Sequence, residues 1–240
     1  MLPAMTTSPP ITTIAKRLQE RFGDVSLPPR DPLVLLVETI LSQNTNDTNR
    51  DRAFRALMDR FGDLAAVRRA PEAQIAEAIR VGGLHHQKAR VIKEALDRIA
   101  RENGTLDLEF LGNLTLSEAM VFLLSLPGVG KKTAGIVVLF GFGMPYFPVD
   151  THIRRVTRRL GLVGEKEEPH ARLNAVLPDD VDLLKRLHLH LIQLGRDLCH
   201  PRRPECERCP LRGDCPSAGA LTDGLRGGVS RTKMGDGEER

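Results

Sequence analysis

At 240 residues and 41% hydrophobic, this chain is long enough for one large or two small domains with real cores, and no apolar run approaches the ~18 residues of a membrane span. A net charge of +4 and a pI near 9.0 are mildly basic, which permits an electrostatic footprint for nucleic acid without demanding one. Eight Phe, one Tyr and no Trp are too few for a stacking platform, which disfavours a single-strand binder and leaves duplex DNA open.

Along the chain the pattern is helical almost throughout. Residues 1–9 have little to bury and read as a mobile end. Helices are predicted at about 11–22, 32–43, 46–62 and 71–81, divided by short Pro, Gly and Asp stops. The next runs over 84–103: Ile92, Ala95, Leu96 and Ile99 recur at three- and four-residue steps, Glu94/Arg98 and Asp97/Arg101 form acid-before-base pairs, and Asn103-Gly104 ends it. Leu84, at its start, is either a core leucine or an exposed one. Further helices follow at 116–124, 132–141, 151–161, 169–176 and 181–195. Leu187-His188-Leu189-His190-Leu191 alternates as a strand would, yet Leu184, Leu187, Leu191 and Leu194 keep helical spacing, and the length favours a helix with structural histidines. No β-hairpin is signalled, so the fold class is all-α. Residues 217–240 are polar, Gly-rich and charge-mixed and read as a mobile tail. No apolar stripe is left over for a partner, so the expected state is a monomer in the cytoplasm.

Three motifs carry chemistry. In Leu126-Pro127-Gly128-Val129-Gly130-Lys131-Lys132, two glycines one residue apart between helices allow a tight turn whose N–H groups point outward, and the following helix start adds to anion binding. A nucleotide-binding loop would follow a strand, and the dinucleotide form would need a third glycine where Thr133 stands. What remains is a helix-hairpin-helix that holds a DNA backbone without reading bases, through Gly128, Val129, Gly130 and Lys131. Lys132 is either a second phosphate contact or a nucleophile. An ordinary lysine amine is neutral in about one molecule per thousand at pH 7.5, and a first-turn position facing the positive end of the helix dipole raises that fraction. Asp150, in Val149-Asp150-Thr151-His152, is either an N-cap or a catalytic carboxylate. Third, Cys199, Cys206, Cys209 and Cys215 are spaced C-x6-C-x2-C-x5-C, close enough for one loop to bring four thiolates to one centre. Zinc and an iron–sulfur cluster both suit them; disulfides do not suit a chain of this size without an apolar signal segment. His200, Pro201, Arg202, Arg203 and Pro204 between the first two cysteines form a stiff cationic arc, either a solvated charge run or a second phosphate contact through Arg202 and Arg203.

With these motifs in this order, the chain resembles the endonuclease III family over about residues 10–216. The resemblance implies a two-lobed helix-hairpin-helix DNA glycosylase. Its parts would be an N-terminal segment (1–27) whose helix packs with the cluster lobe, a six-helix lobe (28–143) and a cluster lobe (144–216), with Lys132 and Asp150 facing each other across a cleft. It implies a 4Fe-4S cluster on the four cysteines, which match interval for interval, and damaged double-stranded DNA as partner, with His152 of the Asp150 motif among the candidate contacts. The implied activity is removal of oxidised pyrimidines in base excision repair, then strand cleavage by β-elimination, with Lys132 as the attacking amine and Asp150 stabilising charge on the sugar. The damaged nucleotide must first be turned out of the duplex. The family fills the gap with a leucine wedge, matched by Leu84 after Gly83, and a polar residue in the segment 41–47. There the commonest members have glutamine where this chain has Asn44. Gln43 could replace it only by a one-residue shift, which on a helix turns a side chain by about a hundred degrees. A mismatch glycosylase using water is the nearest rival, opposed by Lys132, where those relatives carry tyrosine or serine. A colourless, non-enzymatic zinc protein that grips DNA is the other.

Overall fold

The computed structural model describes residues 9–219, and among these there is no strand. The helices are α1 (Ile11–Phe22), α2 (Pro32–Leu41), α3 (Asp47–Phe61), α4 (Leu64–Arg69), α5 (Glu72–Ala78), α6 (His85–Asn103), α7 (Leu116–Ser125), α8 (Lys131–Ile136), α9 (Thr151–Arg159), α10 (Pro169–Val176) and α11 (Val181–Asp197). α8 continues into a π-helical turn, Val137–Gly141. The short α4 is not foreseen from the sequence. Six residues hold too few turns for a periodic signal, yet Asp63 caps it and Leu64 and Val67 are buried. The expected mobile stretches 1–9 and 217–240 lie mostly outside the described residues; within them, Pro9 and Ala218 are buried.

The chain divides into two compact units. The larger comprises residues 25–149 and 173–188. At its centre is α2, which Asp31 starts by accepting from the Leu33 and Val34 amides at 2.8 and 2.9 Å. Leu33, Leu35, Leu36, Val37, Ile40 and Leu41 are all buried, so α2 is apolar around most of its circumference and is packed by α3, α6 and α8. α6 turns Ala89, Ile92, Ala95, Leu96 and Ile99 inward, the stripe read from its sequence.

The expected cluster-lobe range 144–216 differs from this division, because 144–149 and 173–188 group with the larger unit. Asn174 holds the Phe147 backbone from both sides, accepting from its N–H at 2.7 Å and donating to its carbonyl at 3.1 Å. His188 bonds the Pro148 carbonyl at 3.0 Å between the rings of Phe140 and Phe147.

Among the described residues, the smaller unit comprises 9–24, 150–172 and 189–219. Here α1 buries Ile14 and Leu18, Arg17 pairs with Asp214, and His190 bonds the Gly23 carbonyl at 3.0 Å. Both leucine-run histidines are thus buried on backbone carbonyls, the structural role expected of them.

Candidate active site and cluster loop

In the larger unit the hairpin starts where Pro127 holds Leu126 in an extended conformation and ends α7. Gly128 lies at φ +67, and a Cβ there would meet Val91 Cγ1 at 2.7 Å, so glycine is required twice over. Gly130 is the N-cap of α8 and offers no side-chain cap, while Gly128, Gly130 and Lys131 are exposed. Val129 departs from the expected contact set: its side chain is in the core and its amide donates to the Leu126 carbonyl at 3.2 Å, so it anchors the turn. The lysines, equivalent in sequence, differ in place. Lys131 is exposed, whereas Lys132 is half-buried, with Nζ 3.4 Å from Ser42 Oγ.

Ser42 opens the polar segment after α2. Helix α2 ends at Leu41, so the rotation argument for Gln43 and Asn44 lapses: neither residue is helical. Asn44 is left-handed at φ 51, a conformation asparagine accepts more readily than a longer side chain does. Gln43 Nε2 donates to the Gly128 carbonyl at 3.2 Å, which ties this segment to the hairpin. Of the two readings of Leu84, the core one is excluded: the residue is 51% exposed and left-handed at φ 50. Asn44 and Leu84 are the non-glycine residues with positive φ among those described.

In the smaller unit Asp150 caps α9, its Oδ1 accepting from the Ile153 amide at 2.7 Å. The cap fixes the carboxylate's direction and engages one of its two oxygens. His152 is half-buried, with Nδ1 3.2 Å from Arg155 Nη2, and its Cβ stands where a side chain at Gly195 would meet it at 2.7 Å. Arg155 also donates to the Cys199 carbonyl at 2.8 Å and the Gly195 carbonyl at 2.7 Å. One turn on, Arg159 donates to the His200 and Pro201 carbonyls at 2.7 and 2.9 Å and reaches Cys199 Sγ at 3.1 Å. These two arginines, overlooked in the sequence, sit four residues apart on α9, the spacing of one helix face. Arg159 ties the start of the arc and Arg155 the Cys199 carbonyl just before it, while Arg202 and Arg203 are exposed.

The four cysteines are unpaired and half-buried. Burial pushes the Cys206, Cys209 and Cys215 thiols up, Cys209 to about 11, and mutual repulsion among the thiolates acts in the same direction. Such a quartet ionises readily only against a strong cation, and its thiolate donors suit iron. Among the described residues no three His, Cys, Asp or Glu are gathered for one metal ion.

A glycine hairpin with exposed backbone, a half-buried lysine after it and a loop of four cysteines are the features of a helix-hairpin-helix protein with a thiolate centre. Residues 37–177 match the HhH-GPD superfamily base excision DNA repair proteins, and residues 199–215 match the iron–sulfur binding domain of endonuclease III. Endonuclease III of Thermotoga maritima is 34% identical over 212 residues, 85% of this chain and 92% of that protein. Thymine-DNA glycosylase of Aeropyrum pernix is 30% identical over 218 residues, 85% and 94% of the two chains. A trapped endonuclease III–DNA covalent intermediate, in an estranged-adenine complex, superposes with a TM-score of 0.73 at 26% identity, covering 89% of this chain and 99% of that one. The chain belongs to the endonuclease III family, whose members are base excision repair glycosylases with AP lyase activity and a 4Fe-4S cluster. That sets aside the zinc-bearing, non-enzymatic alternative. No helix among the described residues is long and apolar enough to cross a membrane.

Proposed function

We propose that this enzyme, acting as a monomer in the cytoplasm on damaged double-stranded DNA, removes oxidised pyrimidines such as thymine glycol and then opens the abasic strand through Lys132. The observation that carries this reading is the inward placement of Lys132 at the start of α8, with Nζ beside Ser42 while Lys131 stays exposed. A covalent route is supported by the similar endonuclease III that has been trapped as a covalent intermediate with DNA.

The Lys132 amine attacks C1′ of the turned-out nucleotide; the N–C1′ bond forms, the glycosidic bond breaks, and the departing base takes up a proton. Ring opening leaves an iminium between Nζ and C1′. Loss of a C2′ proton expels the 3′ phosphate, and water then releases the unsaturated sugar and restores the amine. Asp150, fixed by its own cap, stabilises the positive charge that develops on the sugar. Gly128, Gly130 and Lys131, with His152, Arg202 and Arg203, contact phosphates, while Leu84, Gln43 and Asn44 fill the space left in the duplex. Cys199, Cys206, Cys209 and Cys215 hold the cluster, which when bound supplies a covalent staple for the loop.

The likeness to the Aeropyrum thymine-DNA glycosylase favours one other reading, removal of a mismatched base by water without a lyase step. Borohydride trapping separates the two. Duplexes carrying thymine glycol, uracil opposite guanine, or an abasic site are incubated with the parent and with Lys132→Gln. An adduct on the thymine glycol duplex, absent in Lys132→Gln, is expected. No adduct on the abasic duplex would remove the lysine mechanism and leave the water route.

A further inference from the structure

Lys88 lies outside every role assigned so far, and its position is costly on two counts. It is 2% exposed, so its amine is withdrawn from water, and it stands in the first turn of α6, facing the positive end of that helix. Burial accordingly lowers its pKa. A hydrocarbon of the same size would fill the site without either cost.

What Lys88 does instead is join two loops. Its Nζ donates to the Leu41 carbonyl and to the Gly82 carbonyl, each at 2.7 Å. Leu41 is the last residue of α2, directly before the polar segment; Gly82 precedes the Gly83-Leu84 turn. Three residues after the first carbonyl is Asn44, and two after the second is Leu84, the left-handed pair. Left-handed backbone in an exposed leucine persists only where its surroundings over-determine it. The crosslink lies at the root of both left-handed turns. On the far side of Leu41, Ser42 meets Lys132 Nζ at 3.4 Å and Gln43 holds the Gly128 carbonyl at 3.2 Å. Displacing the Leu84 turn would therefore move the Leu41 carbonyl and, with it, the residue beside the Lys132 amine.

We infer that Lys88 is a positioning residue that sets the spacing between the Leu84 turn and the 42–44 segment, so that both enter the duplex together and the amine is placed as they do. This rests on the reading of Leu84, Gln43 and Asn44 as duplex-filling residues.

The test uses the cluster-loaded full chain and a duplex with 2-aminopurine opposite a tetrahydrofuran abasic analogue, whose fluorescence rises when the opposite base is unstacked. Lys88→Met is expected to bind undamaged duplex within about twofold of the parent, to lose at least about tenfold in affinity for the abasic analogue, and to lose the fluorescence rise. Leu111→Ala, a core truncation elsewhere in the same unit, controls for lost stability and should keep the rise. If Lys88→Met does not fold, Lys88→Arg is measured instead: a planar, longer group cannot occupy the place of one ammonium nitrogen between the two carbonyls without moving one of them, and a loss of abasic discrimination of about threefold to tenfold is expected, the effect of shifting one contact. Parent-like fluorescence and discrimination in the folded variant overturn the inference. Leu84→Ala separates it from its premise. If that variant keeps the rise, the duplex-filling reading falls and the inference with it; if that variant loses the rise and Lys88→Met keeps it, the inference alone falls.

Discussion

Gly128→Ala should damage the hairpin through two separable effects. The added methyl would stand 2.7 Å from Val91 Cγ1 and 2.9 Å from Cγ2, on a backbone at φ +67. Left-handed geometry costs an alanine about 1–2 kcal/mol, and overpacking against the partly buried Val91 adds about 1–3 kcal/mol. Together that is about 2–5 kcal/mol, or a fall of roughly 4–20 °C in Tm for a chain of this size. Thermal melts of the cluster-loaded protein, followed by far-ultraviolet circular dichroism, read it directly. Val91→Ala removes both clashing methyls, so the double variant should be less destabilised than the two single variants added together, by the steric share of about 1–3 kcal/mol. The backbone share should persist in the double variant, along with weakened binding to undamaged duplex. A Tm for Gly128→Ala within about 1 °C of the parent would refute the reasoning, and strict additivity with Val91→Ala would refute its steric half.

Asp150→Asn keeps an oxygen for the Ile153 amide but loses the charge, so its Tm should stay close to the parent's while single-turnover base release falls at least about a hundredfold. Asp150→Ala should lose the same activity and, in addition, about 1 kcal/mol of stability measured by urea unfolding. Arg159→Ala releases the His200 and Pro201 carbonyls and the contact to Cys199 Sγ, and should quicken oxidative bleaching of the cluster absorbance near about 400 nm. Lys88 carries a pH signature with a definite sign. Because burial lowers its pKa below 10.5, the unfolded chain holds more protons in the window between the lowered value and 10.5. Stability from this group is present above 10.5 and lost as pH falls through the lowered value, so the stability of the parent minus that of Lys88→Met should grow from neutral pH toward pH 10.5. A flat difference would count against it.

Helical periodicity, the Pro and Gly stops and the cysteine spacing are local, and local facts survive without coordinates. The stripe on α6, the helical nature of the Leu-His run and the turn at Gly128 could therefore be read from residue order, because each depends on repeats of three to four residues or on one backbone conformation. A signal for Lys88 was present too: it falls on the apolar stripe four residues before Ile92, where a lysine is out of place. The short α4 was invisible, since six residues hold too little periodicity and its buried pair acquires meaning only against α6.

What only tertiary structure decided is direction. Residue order makes Lys131 and Lys132 alike, and the fold exposes one and turns the other toward Ser42, ninety residues away in sequence. Residue order leaves Leu84 open as a core leucine or an exposed one, and the fold exposes it on strained backbone with Lys88 holding the root of its turn. Such outcomes depend on contacts between segments far apart along the chain, whose net worth is a small difference between burial and the cost of ordering, and no local pattern encodes that difference.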